Sequence, residues 1–266
     1  MSSETLQVND DEQSAPREPS RREVWRMFDR IAHRYDLANR LLSFGIDRRW
    51  RRRLASHLPT GTHLRVLDLA TGTADQILDL FARSDRLADG VGMDLAEQML
   101  VRGRQKVEAR GLSDRVRLET GDACAIPSEP GAFDALTMSF GIRNVVDVPL
   151  AFREMLRVLR PGGRALILEF SLPANGLIRR LHLFYLRHLL PRVGGFLSGD
   201  VAAYRYLNQT IETFPYGQSF CDWMEQAGFE NARAVPLTFG IATLYIADRP
   251  NCESVDEERS AHVDGA

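Results

Sequence analysis

From residue 64 onward the chain alternates short runs of β-forming residues with longer amphipathic stretches, and this alternation constrains its fold more than any other feature. Strands separated by helices pair in parallel, with the helices crossing over both faces of one sheet. Leu64–Leu69 is the first strand, followed by the turn Ala70-Thr71-Gly72-Thr73-Ala74-Asp75 and a helix carrying Ile77, Leu78, Leu80 and Phe81. Gly90–Asp94 is the second, and the helix after it includes Met99 and Val107. Val116–Leu118, ending in Gly121-Asp122-Ala123, and Phe133–Ser139 are the third and fourth. An amphipathic helix over 147–160 is stopped by Pro161-Gly162-Gly163, and Ala165–Leu168 is a fifth strand. Two later runs, Ala232–Pro236 and Ile241–Ala247, flank Thr238-Phe239-Gly240 and pair antiparallel. The class is α/β, a mostly parallel sheet with helices on both faces, and no internal repeat is present.

Composition narrows the field further. The chain is 44% hydrophobic and 26% charged over 266 residues, which excludes collagen, wholesale disorder and a disulfide scaffold. Every apolar stretch is short and interrupted by arginine, so no segment is expected to span a bilayer. The polar, acidic N-terminus lacks the order of a secretory signal, and a cytoplasmic location is expected. Three cysteines (Cys124, Cys221, Cys252) share no C-x-x-C spacing, so neither a disulfide framework nor a metal site is expected. Residues 1–20 and 251–266 each carry five acids against one arginine and read as disordered acidic tails. Between them, residues 21–250 form the expected single domain, with 32 basic and 26 acidic side chains.

In an open sheet of this kind ligands bind beyond the carboxyl ends of the strands. Gly72 lets the backbone turn and approach a ligand closely. Asp94 ends the next strand, where a carboxylate can accept hydrogen bonds from both hydroxyls of a ribose. A dinucleotide would need G-x-G-x-x-G to place a pyrophosphate on the helix N-terminus. Here a single glycine stands between Asp68 and Asp75, two carboxylates that repel a diphosphate and suit a cation. S-adenosyl-L-methionine, with its sulfonium, ammonium and ribose and no phosphate, is the favoured ligand. After the third strand, Asp122 can accept from an adenine amino group while Ala123 offers a backbone N–H. The plainer alternative keeps Gly72 and Asp68 as turn formers and Asp94 as a helix cap.

Several segments carry a closer likeness. Arg26–Asn39 (RMFDRIAHRYDLAN), Leu41–Trp50 (LLSFGIDRRW) and Ser139–Val145 (SFGIRNV) resemble signatures of the ubiquinone/menaquinone biosynthesis C-methyltransferases, as do Arg160-Pro161-Gly162-Gly163 and Leu237–Ile241 (LTFGI). The resemblance spans roughly residues 22–248. It implies a class I S-adenosyl-L-methionine methyltransferase fold, Rossmann-like and seven-stranded, that methylates a ring carbon of a prenylated quinol: demethylmenaquinol, or a ubiquinol precursor. It also carries donor-binding roles onto Thr73, Asp94, Asp122 with Ala123, and Ser139. Ala74 stands where the family usually has Gly, Tyr245 where many members have His, and Asn208 where many have Pro.

Carbon methylation of a quinol requires a developing phenolate to be stabilised in a closed site. Arg143 and Asn144, just past the fourth strand, are the leading candidates. A guanidinium holds a phenolate or orients a water, although it is too basic to act as a base itself. The alternative for Arg143 is an ion pair with an acid such as Asp147. Tyr35 is expected to line the quinol pocket, and His33 is a weaker candidate beside it. Residues 21–58 read as a helical lid, with Val24, Met27, Phe28 and Ile31 at helical spacing. Residues 176–215 read as a substrate-side insertion whose first part, 176–197, is apolar and basic without one acid. That part either packs on the core, admits an isoprenoid tail, or touches anionic headgroups of the inner membrane surface. A homodimer is also among the expected associations. The Arg48–Arg53 cluster matches no nucleic-acid reading motif, so no nucleic-acid partner is expected. Outside this reading stand a small-molecule O- or N-methyltransferase and a non-catalytic scaffold protein.

Overall fold

The computed structural model describes residues 23–30, 32, 43, 45–192 and 201–251. A seven-stranded sheet runs through it in the order β3-β2-β1-β4-β5-β7-β6. Its strands are β1 Leu64–Leu69, β2 Leu87–Asp94, β3 Val116–Thr120, β4 Phe133–Ser139, β5 Leu159–Phe170, β6 Glu230–Leu237 and β7 Ala242–Asp248. The first five are parallel, and β7 pairs antiparallel with both β5 and β6. β1 therefore lies between β2 and β4, where the chain reverses its direction across the sheet. That reversal opens a crevice at the carboxyl ends of the strands.

Alternation along each strand divides the core into two layers. Leu67, Leu136, Ile167 and Tyr245 point to one face, beneath α4 (Val148–Val158) and α7 (Gln218–Gln226). Their neighbours Val66, Ala135, Leu166 and Ile246 point to the other. That face is covered by α1 (Ile46–Ala55), α2 (Asp75–Phe81) and α3 (Glu97–Ala109). The strands of the middle are apolar on both sides, as parallel strands buried twice must be. Truncating a fully buried side chain here, Leu166→Ala for example, is expected to cost about 2–5 kcal/mol.

Several boundaries differ from the sequence expectation, most at the starts of β5 and β2. α4 starts where expected, with Asp147 accepting from the Leu150 N–H at 2.9 Å. It ends at Val158, because Leu159 turns extended and pairs with Phe133. Pro161-Gly162-Gly163 thus lies inside β5 as a kink, with Gly162 at φ +72. β2 begins at Leu87, three residues before the expected start.

A third apolar cluster forms away from the sheet. The helical segment 24–30 packs Val24 and Met27 against Leu172, Leu186, Leu190, Tyr206 and Ile211. These come from the region of α5 (Gly176–Phe184), the π-turn Tyr185–Leu189 and α6 (Val201–Thr213). The expected lid residue Ile31 and the apolar Leu37, Leu41 and Leu42 lie outside the described residues. No helix among the described residues is long and apolar enough to cross a membrane.

Candidate active site

A cavity of about 520 Å³ opens at the carboxyl ends of β1, β2, β3 and β4, a volume in the range of small-molecule sites. Its polar end is built from turns that the sheet register fixes. The turn after β1 holds Ala70, Gly72 and Ala74 at φ +49, +55 and +67. At Gly72 a Cβ would meet nothing within 4 Å, so bare backbone faces open space there. The Gly72 N–H donates to Asp94 Oδ2 at 2.8 Å, and the Ala96 N–H donates to Oδ1 at 2.8 Å. A carboxylate can accept about four hydrogen bonds, so Asp94 retains lone pairs for a ligand. Burial pushes the Asp94 carboxyl up from its ordinary value, and the N–H groups of Ala96, Gly72 and Leu95 pull it back down.

Asp94, Asp122 and Asp147 line this cavity, and no lysine, arginine or histidine among the described residues does. An anionic ligand would find three carboxylates and no cation to offset its charge. A cationic ligand with a diol suits the wall, and S-adenosyl-L-methionine fits that description. Asp122 accepts from the Cys124 N–H at 2.9 Å, which folds the loop after β3 so that Ala123 also borders the cavity. Ser139 donates to Gln76 Oε1 at 2.9 Å on the cavity floor.

The structure thus brings Gly72, Asp94, Asp122, Ala123, Ser139 and Asn144 together around one space. Three expected site residues fall outside its lining. Asp68 is fully buried, and its two oxygens accept from the hydroxyls of Thr71 and Thr137, each at 2.6 Å. Desolvation raises its carboxyl to about 6 despite those bonds. For Asp68 the turn-forming alternative is the better description. Thr73 is buried, and its hydroxyl accepts from Lys106 Nζ at 2.8 Å, away from the cavity. Lys106 also pairs with Asp75 at 2.8 Å, so the second acid of the turn is likewise engaged elsewhere.

Arg143 is the third correction. Ile142–Asn144 forms a single 3-10 turn, in which successive side chains point about 120° apart. Asn144 consequently faces the cavity and Arg143 faces the interior. Arg143 Nη1 donates to Glu169 Oε1 at 2.6 Å and to the Phe140 carbonyl at 2.7 Å. Its guanidinium lies 5.4 Å from the Phe170 ring centre. The ion-pair alternative applies, with Glu169 rather than Asp147 as the partner. Burial pushes Glu169 up, and Arg143 is the main opposing influence. Tyr35 and His33 lie outside the described residues.

A model of the ubiE/COQ5 methyltransferase family matches residues 17–249. A demethylmenaquinone methyltransferase of Thermus thermophilus is 47% identical over 224 residues, covering 84% of this chain and 100% of that protein. A ubiquinone/menaquinone biosynthesis C-methyltransferase of Syntrophotalea carbinolica is 48% identical over 220 residues, covering 82% of this chain and 91% of that one. Among solved structures, a SAM-dependent methyltransferase from Thermotoga maritima superposes with a TM-score of 0.60. It is 18% identical and covers 85% of this chain and 99% of its own. The chain belongs to the ubiE/COQ5 methyltransferase family. It is a methyltransferase that takes its methyl group from S-adenosyl-L-methionine.

Three supporting residues of the methyltransferase have no individual role assigned from the sequence, although Gly141 and Tyr206 lie in segments that resemble the family. Gly141 allows the Ser139–Asn144 loop to press against the turn after β1, since a Cβ there would lie 2.4 Å from the Ala70 Cβ. Glu169 anchors Arg143; an acid at the end of an otherwise apolar strand was its only signal, and the expected fifth strand stopped one residue short of it. Tyr206 on α6 donates to Asn144 Oδ1 at 3.3 Å. With that oxygen engaged, the amide NH2 of Asn144 is the group left for the cavity.

Proposed function

We propose that this methyltransferase places the methyl group on a ring carbon of a prenylated quinol, with demethylmenaquinol as acceptor and the 2-methoxy-6-polyprenyl-benzoquinol precursor of ubiquinol as a second one. The observation that carries the reading is the mixed lining of the cavity: three carboxylates with no cation among the described residues, together with the apolar Val24, Trp25, Phe28 and Val146. The two relatives' names, one for demethylmenaquinone and one for ubiquinone/menaquinone biosynthesis, support the quinol acceptor.

Bound at the polar end, the donor supplies an electrophilic methyl group on its sulfonium. Asp94 would accept from the ribose hydroxyls with the lone pairs its backbone bonds leave over. Asp122 would accept from the adenine amino group and the Ala123 N–H would serve the ring beside it, while Gly72 and Ser139 would border the rest of the donor. The Asn144 amide donates to the phenolate oxygen as negative charge develops there, and Arg143 acts at one remove by holding the 3-10 turn in place. Trp25 and Phe28 exclude water from the reacting atoms, where such donors are most effective. Expression in two bacterial strains, one unable to methylate its menaquinone and one its ubiquinone, tests the acceptor. Restored methylation of either quinone supports the reading, and restoration of neither contradicts it.

The acceptor is a lipid, and α5 offers a surface suited to meeting it in a membrane. Leu177, Leu181 and Phe184 are 69%, 63% and 57% exposed and recur at i, i+4 and i+7, on one side of the helix. Arg179 and Arg180 flank them, also exposed, and residues 176–197 contain no acid. An exposed apolar stripe beside exposed guanidiniums complements an anionic bilayer surface. Binding to phosphatidylglycerol vesicles that weakens as salt rises, and that Leu181→Ser with Phe184→Ser abolishes, is the expected result. Salt-independent binding, no binding, or a dimer that the same two substitutions dissolve would each contradict it.

A further inference from the structure

The helical segment 24–30 roofs the cavity and is tied down at two places. Val24 and Met27 are buried against the α5–α6 region, and Phe28 packs on Ala96 and Met99 at the start of α3. The start of α3 is also where Asp94 sits, two residues before the N-cap. That N-cap is Ala96, which has no side chain able to accept a hydrogen bond. Helix N-termini leave backbone N–H groups that need acceptors, usually a capping oxygen on the residue at Ala96's position. In this protein the acceptors come from elsewhere. Asp94 Oδ1 takes the Ala96 N–H, and Asp29 Oδ1 takes the Gln98 N–H at 2.7 Å from 69 residues upstream. Gln98 is the second residue of α3, the position whose N–H a cap normally satisfies. A carboxylate there is also favoured by the helix dipole.

We propose that Asp29 is a positioning residue of the donor site: its carboxylate caps α3 across the chain and thereby latches the roof helix shut beside Asp94. The roof contributes Val24, Trp25 and Phe28 to the cavity wall, so the donor cannot be enclosed unless this helix is seated. A latch made by one hydrogen bond from a half-buried carboxylate is also one that can release, as exchange of donor for product requires. Ala96 and Asp29 thus divide a task that one N-cap residue performs in most helices, and the division couples the roof to the loop that carries Asp94.

The inference rests on Asp94 as the ribose ligand, and the test separates the two ideas. S-adenosylhomocysteine is titrated calorimetrically into the full-length wild type, Asp29→Ala, Asp29→Asn and Asp94→Ala, and its release is timed by stopped flow. Asp29→Ala is expected to bind about tenfold more weakly through faster release. KM for the donor should rise by a similar factor, with kcat at saturating donor changed less than about twofold. Asp29→Asn keeps an acceptor oxygen and should restore affinity to within about threefold of wild type. Wild-type affinity in Asp29→Ala, or an equal loss in Asp29→Asn, overturns the latch while leaving Asp94 in its role. Unchanged affinity in Asp94→Ala overturns both. Should Asp29→Ala fail to fold, hydrogen exchange at the Gln98 amide of the wild type decides. Added protection when S-adenosylhomocysteine binds supports the latch, and unchanged protection contradicts it.

Discussion

At the end of the cavity proposed for the donor, Gly72 stands in the turn after β1, Asp94 ends β2 and Gly121 follows β3, and the parallel ladder of the sheet sets their spacing. At the end proposed for the acceptor, Asn144 sits on one 3-10 turn braced by Glu169 on β5 and Tyr206 on α6. The first end is placed by backbone hydrogen bonds between neighbouring strands. The second depends on side chains that meet across long stretches of sequence, one of them in a buried ion pair. Donor binding should therefore tolerate changes that abolish turnover, and the acceptor end should be the more sensitive to loss of a single partner.

Arg143→Ala is the most severe challenge to this contrast. It strands the Glu169 carboxylate in the interior, which is expected to cost about 3–5 kcal/mol of stability and to lower the thermal midpoint by about 10 °C. The paired replacement Arg143→Met with Glu169→Leu should recover most of that loss. An Arg143→Ala protein as stable as wild type but slow to turn over would instead place the guanidinium at the reacting ring.

Asp68→Asn tests the donor end, where a buried carboxylate next to the glycine turn is expected to support the fold without touching the donor. The folded carboxyl titrates near 6 against an ordinary 3.8, so the native state holds the proton more tightly than the unfolded chain does. The stability that the protonated form supplies is full below pH 4 and is lost as pH rises through 6. That loss amounts to about 3 kcal/mol. Urea unfolding at pH 4 and pH 7 should show this dependence in the wild type relative to Asp68→Asn, while donor affinity stays within about twofold. A tenfold drop in affinity in the variant would return Asp68 to the binding surface.

Asn144→Ala is the mildest of the three in free energy and the sharpest in function. Removing one preorganised donor to a developing oxyanion costs about 10²-fold in kcat, near 2.7 kcal/mol. Calorimetry with S-adenosylhomocysteine should show unchanged affinity. Turnover within threefold of wild type would move phenolate stabilisation to another group.

The same contrast explains what could be read in advance. Periodicity and strand-end chemistry pointed to Asp94 and Asp122 because a strand's end is a local property of sequence, the family resemblance added Ser139, and those residues do border the cavity. Asp68 obeys the same local pattern yet is consumed by Thr71 and Thr137, since only the fold shows which side of β1 it points to. Arg143 and Asn144 are adjacent, and composition favours the charged one as the active group; the 3-10 turn decides otherwise. Glu169, Tyr206 and Asp29 act through contacts spanning 26, 62 and 69 residues, and no spacing rule connects such partners.

The most direct test of the whole account is the fate of the methyl group. Purified protein, given S-adenosyl-L-methionine labelled in its methyl carbon and a short-chain demethylmenaquinol, should yield a product in which the label is bonded to ring carbon and both hydroxyls remain free to be acetylated. Label found on oxygen, or none transferred to the quinol while the donor is bound, would contradict it.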